Sequence, residues 1–313
     1  MDLNGKVIAI TGANIGIGRE VARALAARGA SLRLLCRSLE KVAPLLAELS
    51  NRAIAIECDL GRLASVREAA AALLARDEPL HVLVNNAGIG GQPGITADGF
   101  ELHFGVNHLG HFLLTNLLLE RLHASAPARI VHVASGSHYK ARRIDWDALR
   151  TPTASISGMP EYSVSKLANV MFTAELARRL EGTGITTYSL NPGRVATNIW
   201  QRMPWPIRPL FKLTMLSSAD GAYSTIRAAT DLPGNGAYYD AKAIERAPNP
   251  LALDDALAAE LWRRSEAWIA QAYEADARSD GRSGIDAASS SSTTNRAPGF
   301  AASTQTRPPI ASI

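Results

Sequence analysis

The chain has 313 residues, 47% apolar and 20% charged, and its 33 Lys and Arg against 29 Asp and Glu leave a formal net charge of +4; this is a globular composition, long enough for a sizeable core, and it excludes an intrinsically disordered protein. Two cysteines exclude a disulfide scaffold and suit a reducing cytosol, and the lack of any dense Lys/Arg run argues against a nucleic-acid partner. Met1–Lys6 is too polar for a signal peptide and no run of about 18 apolar residues occurs, so the expectation is a cytoplasmic protein without a membrane-spanning helix.

Apolar runs and helical patterns alternate from the start. Lys6–Thr11 reads as a β-branched strand, after which a helical period covers Gly16–Arg28 and stops at Gly29. Ser31–Cys36 predicts a second strand, followed by a helical stretch through Ser50. Ala53–Glu57 predicts a third, and Arg62–Arg76 is rich in helix formers. Leu80–Val84 and Arg129–Ala134 bracket a long helical region centred on Phe104–Arg121, and Ile185–Leu190 follows a helix over Tyr162–Arg179. Six strands alternating with helices, with no hairpin signal between them, imply right-handed βαβ units and a parallel sheet. The strands are apolar almost throughout, so helices must cover both faces. The fold class expected is α/β, doubly wound, with a single domain over residues 1–274. Ser137–Pro160 is a polar insertion, and residues 275–313, rich in Ser, Thr, Ala, Gly and Pro, predict a disordered tail.

The first strand runs into Thr11-Gly12-Ala13-Asn14-Ile15-Gly16-Ile17-Gly18 and a helix follows at once. Glycines there let a pyrophosphate approach the backbone, and the helix N-terminus offers free N–H groups with partial positive charge. The strand-before, helix-after context raises this above a plain turn and predicts a dinucleotide site. At the end of the second strand an NAD site would place an acid for the ribose 2′-hydroxyl, whereas this chain has Cys36-Arg37. A guanidinium there suits a 2′-phosphate, so NADP(H) is expected in preference to NAD(H). Asp59, with Leu60, closes the third strand; it is placed to face an adenine, to cap the helix starting near Arg62, or both. Asn85-Asn86-Ala87-Gly88 follows the fourth strand, at the carboxyl end where open parallel sheets bind ligands. Tyr162 and Lys166, four apart, share a helix face, and an ammonium beside the phenol favours phenolate.

Together, Thr11–Gly18, Cys58-Asp59-Leu60, Asn85–Gly88, Asn107, Ser135, Tyr162 with Lys166, and Asn191-Pro192-Gly193 resemble, in this order, the short-chain dehydrogenase/reductase family over roughly Asn4 to Trp268. Val106–Phe112, Ser165–Val170, Gly236–Tyr239 and the long Ser135-to-Tyr162 separation are similar to the branch containing retinol dehydrogenases and NADP-dependent carbonyl reductases. The resemblance implies a Rossmann-type fold and hydride exchange between the cofactor and a carbinol carbon. It makes Tyr162 the acid/base and Ser135 the partner of the substrate oxygen. Lys166 would lower the Tyr162 pKa and hold the nicotinamide ribose, while Asn107 would anchor a water linking Lys166 to solvent. Gly12, Asn14, Gly16, Ile17, Gly18, Arg37, Asp59, Leu60, Asn86, Ala87, Gly88, Pro192, Gly193 and Thr197 would contact the cofactor. In that family the two long helices, here over Phe104–Arg121 and Tyr162–Arg179, often pack across a two-fold, so a homodimer is possible and the oligomeric state stays open. Retinol-active members often carry an N-terminal anchor, while this chain opens directly on its first strand; Ile15 stands where a small polar or basic residue is common.

Arg194–Ser217, with Trp200, Met203, Trp205, Ile207, Leu210, Phe211 and Met215, is expected to form an apolar lid suited to a bulky lipophilic ketone, aldehyde or alcohol, a small-molecule carbonyl or alcohol substrate. Its interleaved Arg and Lys residues also fit contact with a membrane surface. The seven histidines lack a carboxylate or cysteine set that would complete a metal site, so none is expected. Two rivals remain. A non-catalytic NADP-binding regulator on this fold would usually lack some of Asn107, Ser135, Tyr162 and Lys166. A sugar-nucleotide epimerase would space its glycines as TGxxGxxG and carry a larger carboxyl-terminal region.

Overall fold

Alternate residues of the first strand face opposite ways: Ile8 and Ile10 enter one core, Ala9 the other. That period-two division, repeated across the strands, makes a sheet that must be covered twice. The computed structural model describes residues 2–193, 195 and 216–279. The chain divides into two units, Met1–Tyr273 and Glu274–Ile313, and the architecture belongs to the first.

In order, the principal elements are β1 (Val7–Thr11), α1 (Gly16–Ala27), β2 (Ser31–Cys36), α2 (Leu39–Leu49), β3 (Ala53–Glu57), α3 (Leu63–Leu74), β4 (Val82–Asn85), α4 (Leu102–Phe104), α5 (Gly110–Ala124), β5 (Ala128–Val133), α6 (Met159–Arg179), β6 (Ile185–Leu190), α7 (Ser218–Thr230), β7 (Tyr238–Tyr239) and α8 (Asp255–Ser279). The sheet has seven parallel strands in the order β3-β2-β1-β4-β5-β6-β7. This is the doubly wound, Rossmann-type architecture expected, and strand order reverses between β1 and β4. Helices α1, α2 and α7 bury their apolar stripes on one face, while α3, α5, α6 and α8 cover the other. The stripe of α1, for example, is Val21, Ala22, Leu25 and Ala26.

The boundaries differ from expectation for identifiable reasons. Leu80 lies outside β4 because its amide donates to Ser125 Oγ at 2.9 Å, and the strand instead continues to Asn85, paired with His132. β5 runs one residue earlier than expected, with Ala128 paired to Ile185. A seventh strand, β7, was not foreseen: it is two residues long and preceded by the turn-like Gly234-Asn235-Gly236. The region over Phe104–Arg121 begins earlier, where Glu101 accepts the Phe104 amide at 2.8 Å, and is broken by a π turn at Gly105–Leu109. α6 starts at Met159, with Pro160 in its first turn, so Tyr162 stands near a helix N-terminus. α8 continues to Ser279, beyond the expected start of the tail; residues 280–313 and nearly all of the expected lid lie outside the described residues.

α8 is fastened by aromatic rings. Trp262 meets Phe112 of α5 at 4.9 Å and Phe172 of α6 at 5.6 Å between centroids, and Trp268 meets Phe104 at 5.7 Å. The two helices that would pair across a two-fold in a homodimer thus have these rings covered by the chain's own last helix. Trp262 is 4% exposed, so Trp262→Ala is expected to cost about 3–5 kcal/mol in denaturant unfolding. Ile156→Ser, at a side chain 97% exposed, is expected to change stability by less than about 0.5 kcal/mol in the same measurement.

Candidate active site

All the loops that carry predicted site residues leave the same edge of the parallel sheet, its carboxyl edge. Asn14, Gly16, Ile17 and Gly18 follow β1, Arg37 follows β2, Asp59 and Leu60 follow β3, and Pro192 and Gly193 follow β6. The ends of β1 and β4 are tied together by side chains. Thr11 Oγ1 accepts the amides of Asn86 at 2.9 Å and Ala87 at 3.0 Å, and Asn86 Nδ2 donates to the carbonyls of Thr11 at 2.9 Å and Gly12 at 3.3 Å. A Cβ on Gly18 would lie 2.4 Å from both Asn86 Nδ2 and the Gly12 carbonyl, so only glycine lets α1 start this close. The residue before α1 is Ile15, whose side chain cannot accept a hydrogen bond, so the helix opens with its N–H groups uncapped by a side chain. A close backbone approach and uncapped amides fit the pyrophosphate of a dinucleotide.

Around this floor, Arg37 is exposed at the end of β2 and Leu60 is buried. The Cys36 thiol lies against the backbone of residues 12–14, and burial raises its pKa; both cysteines are free, and burial pushes Cys58 up to about 12. Asp59 does not cap α3. Its Oδ1 accepts the Gly61 amide at 3.0 Å in a local turn, while the Leu63 amide donates to Asp98 Oδ2 at 2.9 Å, a carboxylate from a distant loop. Thr197 lies outside the described residues.

The four residues expected to form the tetrad converge beside Gly88. Asn107 stands in the π turn, Ser135 follows β5, and Tyr162 and Lys166 lie one turn apart on α6. A Cβ on Gly88 would lie 3.3 Å from both Asn107 Oδ1 and Lys166 Nζ. Asn107 Oδ1 accepts the Ile89 amide at 2.8 Å, and its Nδ2 donates to the Ile89 carbonyl at 3.0 Å and to Ser165 Oγ at 2.9 Å. Both amide hydrogens are therefore committed, and any further partner must come to the remaining lone pair of Oδ1. Ser135 Oγ accepts the Ser137 amide at 3.1 Å, and its hydroxyl is near enough to the Tyr162 phenol to lower that group's pKa. Lys166 Nζ donates to the Val133 carbonyl at 2.8 Å and lies 5.8 Å from the Tyr162 ring centroid.

Burial dominates the electrostatics. It raises the Tyr162 phenol above its ordinary value, with the Ser135 hydroxyl pulling the other way, and it lowers Lys166 to about 7. Desolvation therefore disfavours the phenolate and the ammonium separately, a counterweight to the lowering that sequence spacing suggests. Behind the tetrad three imidazoles are buried in the polar core. Burial takes His108 down to about 3, His111 down to about 4 and His132 well below its ordinary value.

Sequence reasoning passed over Thr11 and Ser165 as partners in the site. Each is a lone hydroxyl inside a motif noted for its other residues, and only the distances above reveal its role. Among the described residues, no group of three or more His, Cys, Asp or Glu is placed to hold a metal ion, and no helix is long and apolar enough to cross a membrane.

Over residues 6–146 and 150–205 the sequence matches the family described as short chain dehydrogenase. Retinol dehydrogenase 11 of Homo sapiens is 44% identical over 240 residues, which is 73% of this chain and 74% of that protein. An uncharacterised protein from Mycobacterium Paratuberculosis superposes with a TM-score of 0.72 at 35% identity, covering 86% of this chain and 94% of that one. The 3-ketoacyl-(acyl-carrier-protein) reductase from Brucella melitensis, solved complexed with NADH, superposes with a TM-score of 0.61 at 25% identity, covering 78% and 98%.

The buried imidazoles set a pH dependence of stability. Unfolded histidines take up protons near pH 6.5, while in the fold His108 stays neutral to about pH 3 and His111 to about pH 4, and burial holds His132 well below its ordinary value. The imidazole contribution to stability is therefore full above about 6.5 and falls as the pH drops from there, by about 1.4 kcal/mol per pH unit for each imidazole. Denaturant unfolding between about pH 4.5 and 6 is expected to show that slope, and His132→Phe to make it shallower by about one proton.

Proposed function

The chain belongs to the short chain dehydrogenase family, whose fold implies oxidoreductase activity, and from that premise we propose that it interconverts a lipophilic alcohol and its aldehyde or ketone with NADP(H). The observation that carries this reading is the meeting of Tyr162, Ser135, Lys166 and Asn107 beside Gly88, at the carboxyl edge of the sheet next to the crevice between β1 and β4. The turn Gly12–Gly18 with the amides of α1 would hold the pyrophosphate, and Asn86–Gly88, Pro192 and Gly193 would border the nicotinamide half. The bound cofactor supplies or accepts the hydride.

The protein's own residues handle the proton. In the reducing direction the Tyr162 phenol, kept protonated by burial, donates to the carbonyl oxygen while the Ser135 hydroxyl orients that oxygen. The phenolate left behind then lies near the Lys166 side chain in a low-dielectric site, where opposite charges stabilise one another and offset the desolvation each suffers alone. Oxidation of the alcohol runs the same steps backwards.

Two features support the finer reading. The residue directly after β2 is Arg37 rather than a carboxylate, and it is exposed, which favours a 2′-phosphate. The composition of Arg194–Ser217, together with the retinol dehydrogenases among the relatives, supports a bulky apolar substrate of retinoid-like character. The test is nicotinamide absorbance across a panel of lipophilic aldehydes and ketones, retinal included, with NADPH and NADH in parallel. Turnover favouring NADPH is expected; NADPH binding with no turnover of any panel member would favour a non-catalytic regulator. Tyr162→Phe is expected to lower turnover by at least about a hundredfold with NADPH affinity nearly unchanged. Arg37→Ala is expected to reduce the NADPH-over-NADH preference by about tenfold, with NADH turnover retained.

A further inference from the structure

One buried side chain outside the tetrad touches both halves of the site. His111, 2% exposed, stands four residues beyond Asn107 in the first turn of α5. Its Nδ1 is 3.0 Å from the Asn107 carbonyl oxygen and its Nε2 is 2.9 Å from Thr11 Oγ1. A carbonyl can only accept, so Nδ1 carries the hydrogen. Thr11 Oγ1 already accepts the amides of Asn86 and Ala87, which occupies its lone pairs, so its own hydrogen goes to Nε2 at 2.9 Å rather than to the Val84 carbonyl, which lies 3.5 Å away. A neutral ring in this one tautomer satisfies every partner. A second ring proton would face an oxygen with no lone pair left, in a setting that also holds Lys166, His108 and His132.

We propose that His111 is a positioning residue that clamps the main chain of Asn107 to Thr11, and so fixes the π turn against the floor on which the cofactor would lie. Asn107 transmits the position onwards in two directions: through Ile89 to the loop after Gly88, and through Ser165 Oγ, which donates to the Tyr162 carbonyl at 2.8 Å, to the helix carrying Tyr162 and Lys166. His111 touches neither substrate nor cofactor; it acts through the residues it holds. A shift of about 1 Å at a catalytic group can cost on the order of a hundredfold in rate.

The same helix supplies the conservative control. Asn116 Nδ2 donates to the carbonyl of Phe112, four residues back, at 2.8 Å. His111→Asn is therefore expected to keep the bond to the Asn107 carbonyl and lose only the one to Thr11, whereas His111→Phe loses both. The kinetic arm rests on the proposed oxidoreductase reading. In it, His111→Phe and His111→Asn, each of which cuts the tie to Thr11, are both expected to lower kcat by about tenfold or more at saturating NADPH and to change the NADPH dissociation constant by less than about threefold. His111→Phe retaining kcat within about twofold would overturn the clamp, as would full kcat in His111→Asn, which keeps the bond to the Asn107 carbonyl without the one to Thr11.

A second arm needs no turnover. Nitrogen NMR of the full chain, labelled at histidine and assigned by loss of signals in His111→Asn, reports the tautomer directly. The neutral Nδ1–H form, unchanged between about pH 5 and 9, is expected. The Nε2–H form, or titration near pH 6.5, would overturn the proposal. Wild-type protein that shows the Nδ1–H form but turns over nothing supports the clamp and counts against the oxidoreductase reading.

Discussion

The hydroxyl of Thr11 joins the two strands between which the sheet reverses its order. Chains leaving β1 and β4 depart toward opposite faces, which opens a crevice and strands backbone groups at its lip. Thr11 Oγ1 takes the amides of Asn86 and Ala87, and the Asn86 side chain returns two bonds to the carbonyls of Thr11 and Gly12. The remaining geometry depends on that stitch. It fixes how near Gly18 comes to Asn86, hence where the uncapped start of α1 points, and it fixes Gly88 between Asn107 and Lys166. A hydroxyl suits this post because it accepts twice and still donates once, and the third bond reaches the helix of the opposite layer.

The architecture was largely legible in the sequence. β2, β3 and β6 fall on the apolar runs that predict them, because each run is bounded by residues that cannot continue a buried parallel strand. Features that depend on a distant partner were not legible. The start of β4 is set by Ser125, the cap of α3 by Asp98, and β7 is two residues whose strand character comes from pairing with Ser189 and Leu190. The π turn escaped notice for a different reason: one extra residue per turn leaves the local apolar pattern almost unaltered, yet it aims Asn107 at Ile89 and Ser165.

Within the site, motif order predicted which residues would meet, and the structure brings Asn107, Ser135, Tyr162 and Lys166 together. Spacing on a helix says that Lys166 lies near Tyr162, but it cannot say that both are almost wholly buried, and burial reverses the direction in which the phenol moves. Polar groups are held at this depth because each finds a partner from another element: Lys166 from β5, Asn107 from the loop after β4, His111 from β1.

The rings that fasten α8 bear on how the protein is made. Among the described residues, the core under α1, α2 and α7 draws its last buried member from Tyr239, whereas the opposite core waits for Trp262 and Trp268. During synthesis, Phe104, Phe112 and Phe172 are all in place on the emerging chain well before the residues that cover them. The nascent chain therefore presents an aromatic strip to its surroundings for an interval in which one layer of the sheet is already sealed. A chain terminated before Trp262 would carry that strip uncovered.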